Sequence, residues 1–441
     1  MSRLARKITY KSLLRFAAPT ILSFVLLNVY FVIDGIFVAR AVGTAGLAAV
    51  NLTMPVFGVM LAMATMVSTG GSAKIASLLG EKNTDLARQG FTFLVVFCVL
   101  GSAILAAAAL LLLHPLLGLL GADAEISPLC RAYIVPLMIS APFIMGGALL
   151  DGFFIVEGRP ALSMISSMVG GFINIALDYL FLFQWGMGIE GAAIASGVGY
   201  SFSTLVGLAY FGFWRGGTIF LVKPVPCWNI LRQSAANGVS EMVTMLSSSI
   251  VIVVSNNLMM GLAGENGVAA ISIAQYVEEL LTSAYLGYAE GVAPLMSYNH
   301  GARDYLKIQR IFRFSLRIIA VFGVITFLLS FAVAEPVVAA FAEGNRDVFQ
   351  MAAHGFRIFA VSFLFVGFNI YASSHFTALN DGRTSALLSF CHTLIFLLGM
   401  LLLLPQFLGI DGVWIAKPTA EILALGLAFW FCREKGKAYG L

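Results

Sequence analysis

Seven carboxylic acids stand inside long apolar stretches of this chain: Asp34, Asp178, Glu241, Glu278, Glu279, Glu290 and Glu421. An ionised side chain at the middle of a bilayer costs about 2.5–3.5 kcal/mol on insertion scales, so such groups are retained for a reason. The first two are the most telling. Asp34 lies about five residues from the outer end of its stretch and Asp178 about six, which at 1.5 Å per residue sets them at nearly one depth. Tyr30 is one helical turn below Asp34, and Asn174 one turn below Asp178. Ser196 falls about six residues into the following stretch, again at that level. Two carboxylates close together in a low dielectric cannot both ionise cheaply. Five polar groups at one level therefore describe a site that carries a proton, or a buried hydrogen-bonded pair with a structural role.

The remaining acids divide. Glu279 and Glu290 are three turns apart, about 20° on a helical wheel, so they share one face. With Glu278, and with Glu241 from the preceding stretch, they could line a cavity that attracts cations. Alternatively, Glu290 sits near the cytoplasmic end and pairs with a loop arginine. Lys417 and Glu421 have the i, i+4 spacing of a neutralising pair. No nucleophile–base constellation, metal-ligand spacing or phosphate-binding glycine loop is present, so the chain reads as neither an enzyme nor an ATPase. It needs no cofactor and no ATPase partner, and its energy would come from an ion gradient.

The elements that hold these residues must be membrane helices. Of 441 residues, 60% are hydrophobic and 11% charged, against roughly 25% charged in soluble proteins. Apolar stretches of about 20 residues or more fall near 13–39, 47–73, 90–113, 128–150, 161–184, 191–214, 232–261, 267–298, 311–334, 349–375, 383–405 and 411–432. That makes twelve, and helices are expected because an open strand edge in lipid leaves its backbone unpaired. The basic N-terminus (Arg3, Arg6, Lys7, Lys11, Arg15) leads into an apolar run too long for a cleavable leader. With that terminus in the cytoplasm, the outer side receives only Arg40, Arg131, Arg346, Arg357 and Lys417, and the rest of the 26 basic residues stay inside. This bias sets both termini in the cytoplasm of a multi-pass inner-membrane protein. The net charge of +4 serves this orientation and gives no sign of nucleic-acid binding. Five scattered cysteines suggest neither disulfides nor zinc.

The chain also repeats itself at a constant offset. Gly46-Leu-Ala-Ala-Val50 returns as Gly267-Val-Ala-Ala-Ile271, and Gly80 as Gly301. Gly188-Ile-Glu-Gly returns as Gly409-Ile-Asp-Gly, and Glu157-Gly-Arg-Pro160 as Asp381-Gly-Arg-Thr384 with a small shift. Each half holds six spans, so the second enters with the same orientation as the first. The expected fold is an all-α membrane protein of twelve transmembrane helices in two parallel six-helix bundles, related by a pseudo-two-fold axis along the membrane normal. Residues 1–214 form the first bundle, 215–231 a cytoplasmic linker and 232–441 the second. The repeat does not copy the acids: Asp34 maps to Ser255, Asp178 to the region of Gly399, and Ser196 to Lys417.

Together these residues resemble the multidrug and toxic compound extrusion (MATE) family over nearly the whole chain. The resemblance rests on Pro19, Tyr30-x-x-x-Asp34, Gly43 and Leu47-Ala-Ala-Val50, the Gly-ending second span, the Glu-Gly-Arg-Pro turn, and Asn174-x-x-x-Asp178, in that order. It implies an ion-coupled antiporter that expels cationic, amphipathic drugs in exchange for protons, with sodium the alternative coupling ion. Asp34, Asp178, Asn174, Tyr30 and Ser196 would form the ion-coupling site, and Pro19 would mark a kink in the first helix. Family members that bind sodium in the second bundle use an acid further along span seven and another in span ten. Here Glu241 is displaced, and span ten has only Asn369 and Tyr371. The rival of related architecture is a lipid-linked oligosaccharide flippase, which would want bases in its cavity. A channel or receptor would not need two facing bundles.

Overall fold

The computed structural model of the chain describes residues 4–5, 7–120, 122–124, 126–341 and 345–439; Arg3 and Arg6 lie outside them. Every regular element among the described residues is helical. Eleven helices are long and apolar enough to cross a membrane. One of these, Trp228–Gly301, has 74 residues, about 110 Å at 1.5 Å per residue and far more than a bilayer core. Its backbone leaves the helical region at Gly264 (φ 64°, ψ −153°), so it counts as two spans, and the total is twelve. The spans are α1 Tyr10–Gly43, α2 Ala48–Gly80, α3 Thr84–Leu111, α4 Ser127–Val156, α5 Pro160–Gln184, α6 Gly188–Phe213, α7 228–263, α8 265–301, α9 Tyr305–Ala332, α10 Arg346–Ala378, α11 Gly382–Leu408 and α12 Ile410–Gly436.

Local chemistry sets several boundaries. Thr9 Oγ1 accepts the Ser12 amide at 3.1 Å ahead of α1, and Asn345 Oδ1 accepts the amides of Asp347 and Val348 ahead of α10. These caps satisfy amides that have no partner inside the helix. Pro160 opens α5 in the first turn, where a missing N–H costs nothing. Pro19 is different, because it stands inside α1. The helix nonetheless keeps helical dihedrals through it, and its one non-helical residue is Gly43. The proline removes a hydrogen bond there without breaking the helix.

The sequence repeat is also a backbone repeat. Gly43 has φ 78° and its repeat counterpart Gly264 has φ 64°; only glycine reaches this region without strain. Lys82 and Arg303 share a left-handed turn at the same offset, as do Gly188 and Gly409. The contacts between halves obey the same rule. A Cβ on Gly80 would overlap the carbonyl oxygen of Tyr298, and one on Gly301 would overlap that of Ser77. Those two contacts exchange under the repeat shift, as a two-fold relation requires. Thr69 Oγ1 meets Glu290 at 3.5 Å. These two positions are themselves repeat counterparts, so the pseudo-axis runs between them. Gly70 and Gly238 bring α2 and α7 into backbone contact, while Gly287 and Gly291 do so for α8 and α1. Small residues allow such approach where no hydrophobic force separates helix from lipid. All these contacts lie in the half of the molecule toward the chain ends.

The segment after α6 is pinned to the first six helices. The buried Glu157 carboxylate accepts the amides of Thr218 (2.8 Å) and Ile219 (3.0 Å), and Arg88 Nε donates to the Thr218 carbonyl at 3.0 Å. The Glu-Gly-Arg-Pro turn thus anchors the crossing between halves.

Gly301→Val should force the seam apart, since its Cβ has no flexible neighbour to displace. A loss of about 1–3 kcal/mol is expected from overpacking. It would be read as a lower melting temperature of the purified protein, with Gly212→Ala, in open space, unchanged.

Candidate functional site

Three helices build the first polar cluster. Asp34 comes from α1, before the break at Gly43; Asn174 and Asp178 come from α5; Ser196 comes from α6. The α5–α6 crossing is close, because Gly170 and Gly199 meet there, and a Cβ on Gly199 would press on Asn174 Cβ at 2.7 Å. That crossing brings Asn174 Nδ2 within 3.2 Å of Ser196 Oγ. The hydroxyl of Tyr30 also reaches Ser196. The carboxyl groups of Asp34 and Asp178 stand within hydrogen-bonding range of each other. Asp178 and Asn174 are fully buried. Among the described residues, no amide, hydroxyl or amine donates to either oxygen of Asp178 in good geometry. Two carboxylates are acceptors only, so the pair can bond to each other only while it holds a proton. All five positions singled out in the sequence are brought together.

Two tyrosines complete the cluster and were not singled out. Tyr133 of α4 and Tyr200 of α6 lie close enough to feel the charge of Asp34. Tyr200 sets its ring edge-on to Tyr30, centroids 6.3 Å apart. Asp178 directly precedes a π-helical turn, Tyr179–Gln184, a wide turn often found at functional sites. Beside the cluster, a cavity of about 120 Å³ separates α1 from α5, lined by Leu26, Tyr30, Ile33, Met168, Phe172 and Ile175. One further acid escaped the sequence reading. Asp151 stands just past the stretch assigned to span four, yet α4 runs on to Val156. It accepts Ser167 Oγ at 3.0 Å and Ser166 Oγ at 3.4 Å, and the adjacent serine pair was its readable signal.

The second cluster is in the second half. Lys417 Nζ lies 2.8 Å from Glu278 Oε1 and 3.2 Å from Glu421 Oε1. His392 Nε2 is 2.9 Å from the same Glu421 oxygen, and Asn369 Nδ2 donates to Glu421 Oε2 at 2.6 Å. Lys417 is therefore an intramembrane charge and not a loop charge. Glu278 turns inward to it, while its neighbour Glu279 is exposed. His392 sits in a second π-helical turn, Cys391–Phe396. Glu290 does not share the surroundings of Glu279. It meets Thr69 across the seam between halves and feels the charge of Glu241. Among the described residues, no group of three or more His, Cys, Asp or Glu could hold a metal ion.

A family model described as MatE matches residues 19–180 and 241–401. The multidrug export protein MepA of Staphylococcus saprophyticus is 23% identical over 97% of this chain and 94% of its own length. MepA of Staphylococcus aureus is 22% identical over 94% and 91%. Among solved structures, a MATE transporter in complex with MaL6 superposes with a TM-score of 0.94 at 23% identity, covering 99% of this chain and 98% of that one. An outward-facing multidrug resistance MATE transporter of the MOP superfamily gives 0.91 at 24%, with the same coverage. A Pyrococcus furiosus transporter of that superfamily, described as having a binding pocket of reverse polarity, gives 0.93 at 23%, covering 100% and 98%.

Gly199→Val should push α5 from α6 and separate Asn174 from Ser196. About 1–3 kcal/mol of stability should be lost through overpacking. Transport by the surviving fraction should fall, measured as dye flux per folded molecule. Gly171→Ala, which meets nothing within 4 Å, should leave both unchanged.

Proposed function

We propose that this chain, which belongs to the MatE family of transporters, exports cationic amphipathic compounds across the membrane in exchange for protons. Members of this family are transporters and not enzymes, and the chain is a multi-pass membrane protein. One observation carries the coupling: Asp34 and Asp178 face each other in a buried setting, with no cation beside them among the described residues. Such a pair gains a proton where the cluster opens to an acidic side and gives it up when the molecule exposes it elsewhere. Tyr30 and Asn174 are tied to one another through Ser196 and form the polar wall beside the two carboxyls. Pro19, with no amide to donate, supplies the weak point at which α1 can bend. Transport follows because the two conformations differ in affinity for proton and for cargo.

The cargo class has its own support. The curated relatives are named multidrug export proteins. Glu279 is exposed, and Glu241 and Glu290 form a second acidic pair at the seam between halves. The one lysine found deep in the second half among the described residues is already held by two carboxylates. It offers little to a pyrophosphate, and the flippase reading loses its support. The moving bodies in this reading are residues 1–214 and 232–441, joined by 215–231, with both termini in the cytoplasm. The glycine seam then closes the cytoplasmic side, and the space between bundles opens outward.

Proteoliposomes loaded with a fluorescent organic cation test the reading. An imposed proton gradient should drive dye movement, while a sodium gradient at equal pH should not. Asp34→Asn and Asp178→Asn should each cut the rate by at least an order of magnitude while the protein remains folded, taking as a scale the about 10²–10⁴-fold that a positioned proton-transfer group contributes in enzyme catalysis. Undiminished proton-driven flux in both variants would overturn the proposal.

A further inference from the structure

The cluster in the second half has the composition of a cation site whose occupant is part of the chain. Its oxygens come from three helices: Glu278 of α8, Glu421 of α12 and Asn369 of α10. The Glu421 side chain is fully buried, and those of Lys417 and Glu278 are 14% and 20% exposed. Asn369 is buried as well. Its amide nitrogen is bonded to Glu421, while its amide oxygen has no hydrogen-bond partner among the described residues. The unpaired acceptor thus stands within one amide group of the carboxylates. Two carboxylates face one ammonium, so the cluster carries an excess negative charge that His392, 2.9 Å from Glu421, can meet only when protonated. An ordinary ion pair needs one carboxylate. Carboxylate and amide oxygens are the ligands that hard cations take, and the small net charge here suits a monovalent one.

The repeat sharpens the point. Lys417 is the repeat counterpart of Ser196, the hydroxyl beside the Asp34–Asp178 cluster. At one backbone position the first half carries a hydroxyl beside its acids, and the second half an ammonium beside its own. We propose that Lys417 is a tethered substitute for a free monovalent cation, and that Glu278, Glu421 and Asn369 form an oxygen-lined cation pocket kept occupied by the chain itself. The pocket does not exchange its occupant during transport, so the second half is insensitive to sodium. Removing the ammonium opens a site for a sodium-sized ion or a small primary ammonium.

The test is binding and stability, not transport, so its outcome is independent of the proton exchange proposed above. Lys417→Met is made in an Asp34→Asn background, which prevents sodium from binding at the first pair. The purified protein is kept in choline chloride at constant ionic strength, and choline is then replaced by sodium or by methylammonium. The melting temperature should be low in choline and rise saturably with either small cation, with about one radioactive sodium bound per chain. The protein with Lys417 intact should show neither effect. Glu278→Gln added to Lys417→Met should restore stability without any cation. If the methionine variant does not fold, Lys417→Gln, which keeps a donor toward both carboxylates, carries the same measurements. No saturable cation effect in either variant would overturn the proposal, as would an equal effect with Lys417 present.

Discussion

A carboxylate inside a membrane must find a positive charge or a proton, and this requirement organises the molecule. Water cannot supply the compensation, and the desolvation cost reaches several kcal/mol per ion. The first half answers it with two aspartates that can neutralise each other only by sharing a proton. The second half answers it with a lysine placed 2.8 and 3.2 Å from two glutamates. In the proposed cycle the first solution is exchangeable and the second fixed. Because the halves share a backbone plan down to matched left-handed residues, the difference comes from side chains alone.

The same requirement shows in the seam. Helices in lipid gain nothing from hiding apolar surface from water, so they associate by close packing. Gly80 against Tyr298 and Gly301 against Ser77 place backbone on backbone on the side of the chain ends. At the pseudo-axis, Thr69 faces its own repeat counterpart, Glu290. An acid there is costly unless the seam opens in part of the cycle and lets water reach it. Glu241 stands close enough for Glu290 to feel its charge, so the seam brings two acids together.

Much of this was legible in the sequence, for identifiable reasons. Span length and number follow from hydropathy, because membranes admit few alternatives to helices. The repeat was visible because the glycines that mark it are backbone requirements at turns and crossings. The level placement of Asp34, Asp178 and Ser196 came from counting along helices, although α1 runs on to Gly43, about one turn beyond its apolar stretch. What stayed hidden depends on contacts far apart in the chain. The spacing of Lys417 and Glu421 was readable, but nothing local says that Glu278, four spans earlier, completes the pair. His392 showed no ligand spacing because its partner is on another helix. Tyr133 and Tyr200 looked like ordinary aromatic packing residues. Asp151 was missed because the stretch read as span four stops just short of it.

Two features connect the clusters to motion. Each lies beside a π-helical turn, after Asp178 in α5 and at His392 in α11. A wide turn lacks the regular hydrogen-bond ladder and can rewind at lower cost than a standard helix. In the first half the turn directly follows Asp178, so in the proposed exchange a change in protonation there can be passed to backbone geometry. In the second half the equivalent cluster is cross-linked by Lys417 to α8 and by Asn369 to α10, which ties three helices into one rigid unit. A carrier needs one element that responds and another that resists. Under the two proposals above, a lysine in place of Ser196, together with acids that the repeat does not copy, gives those two roles to halves built on the same plan.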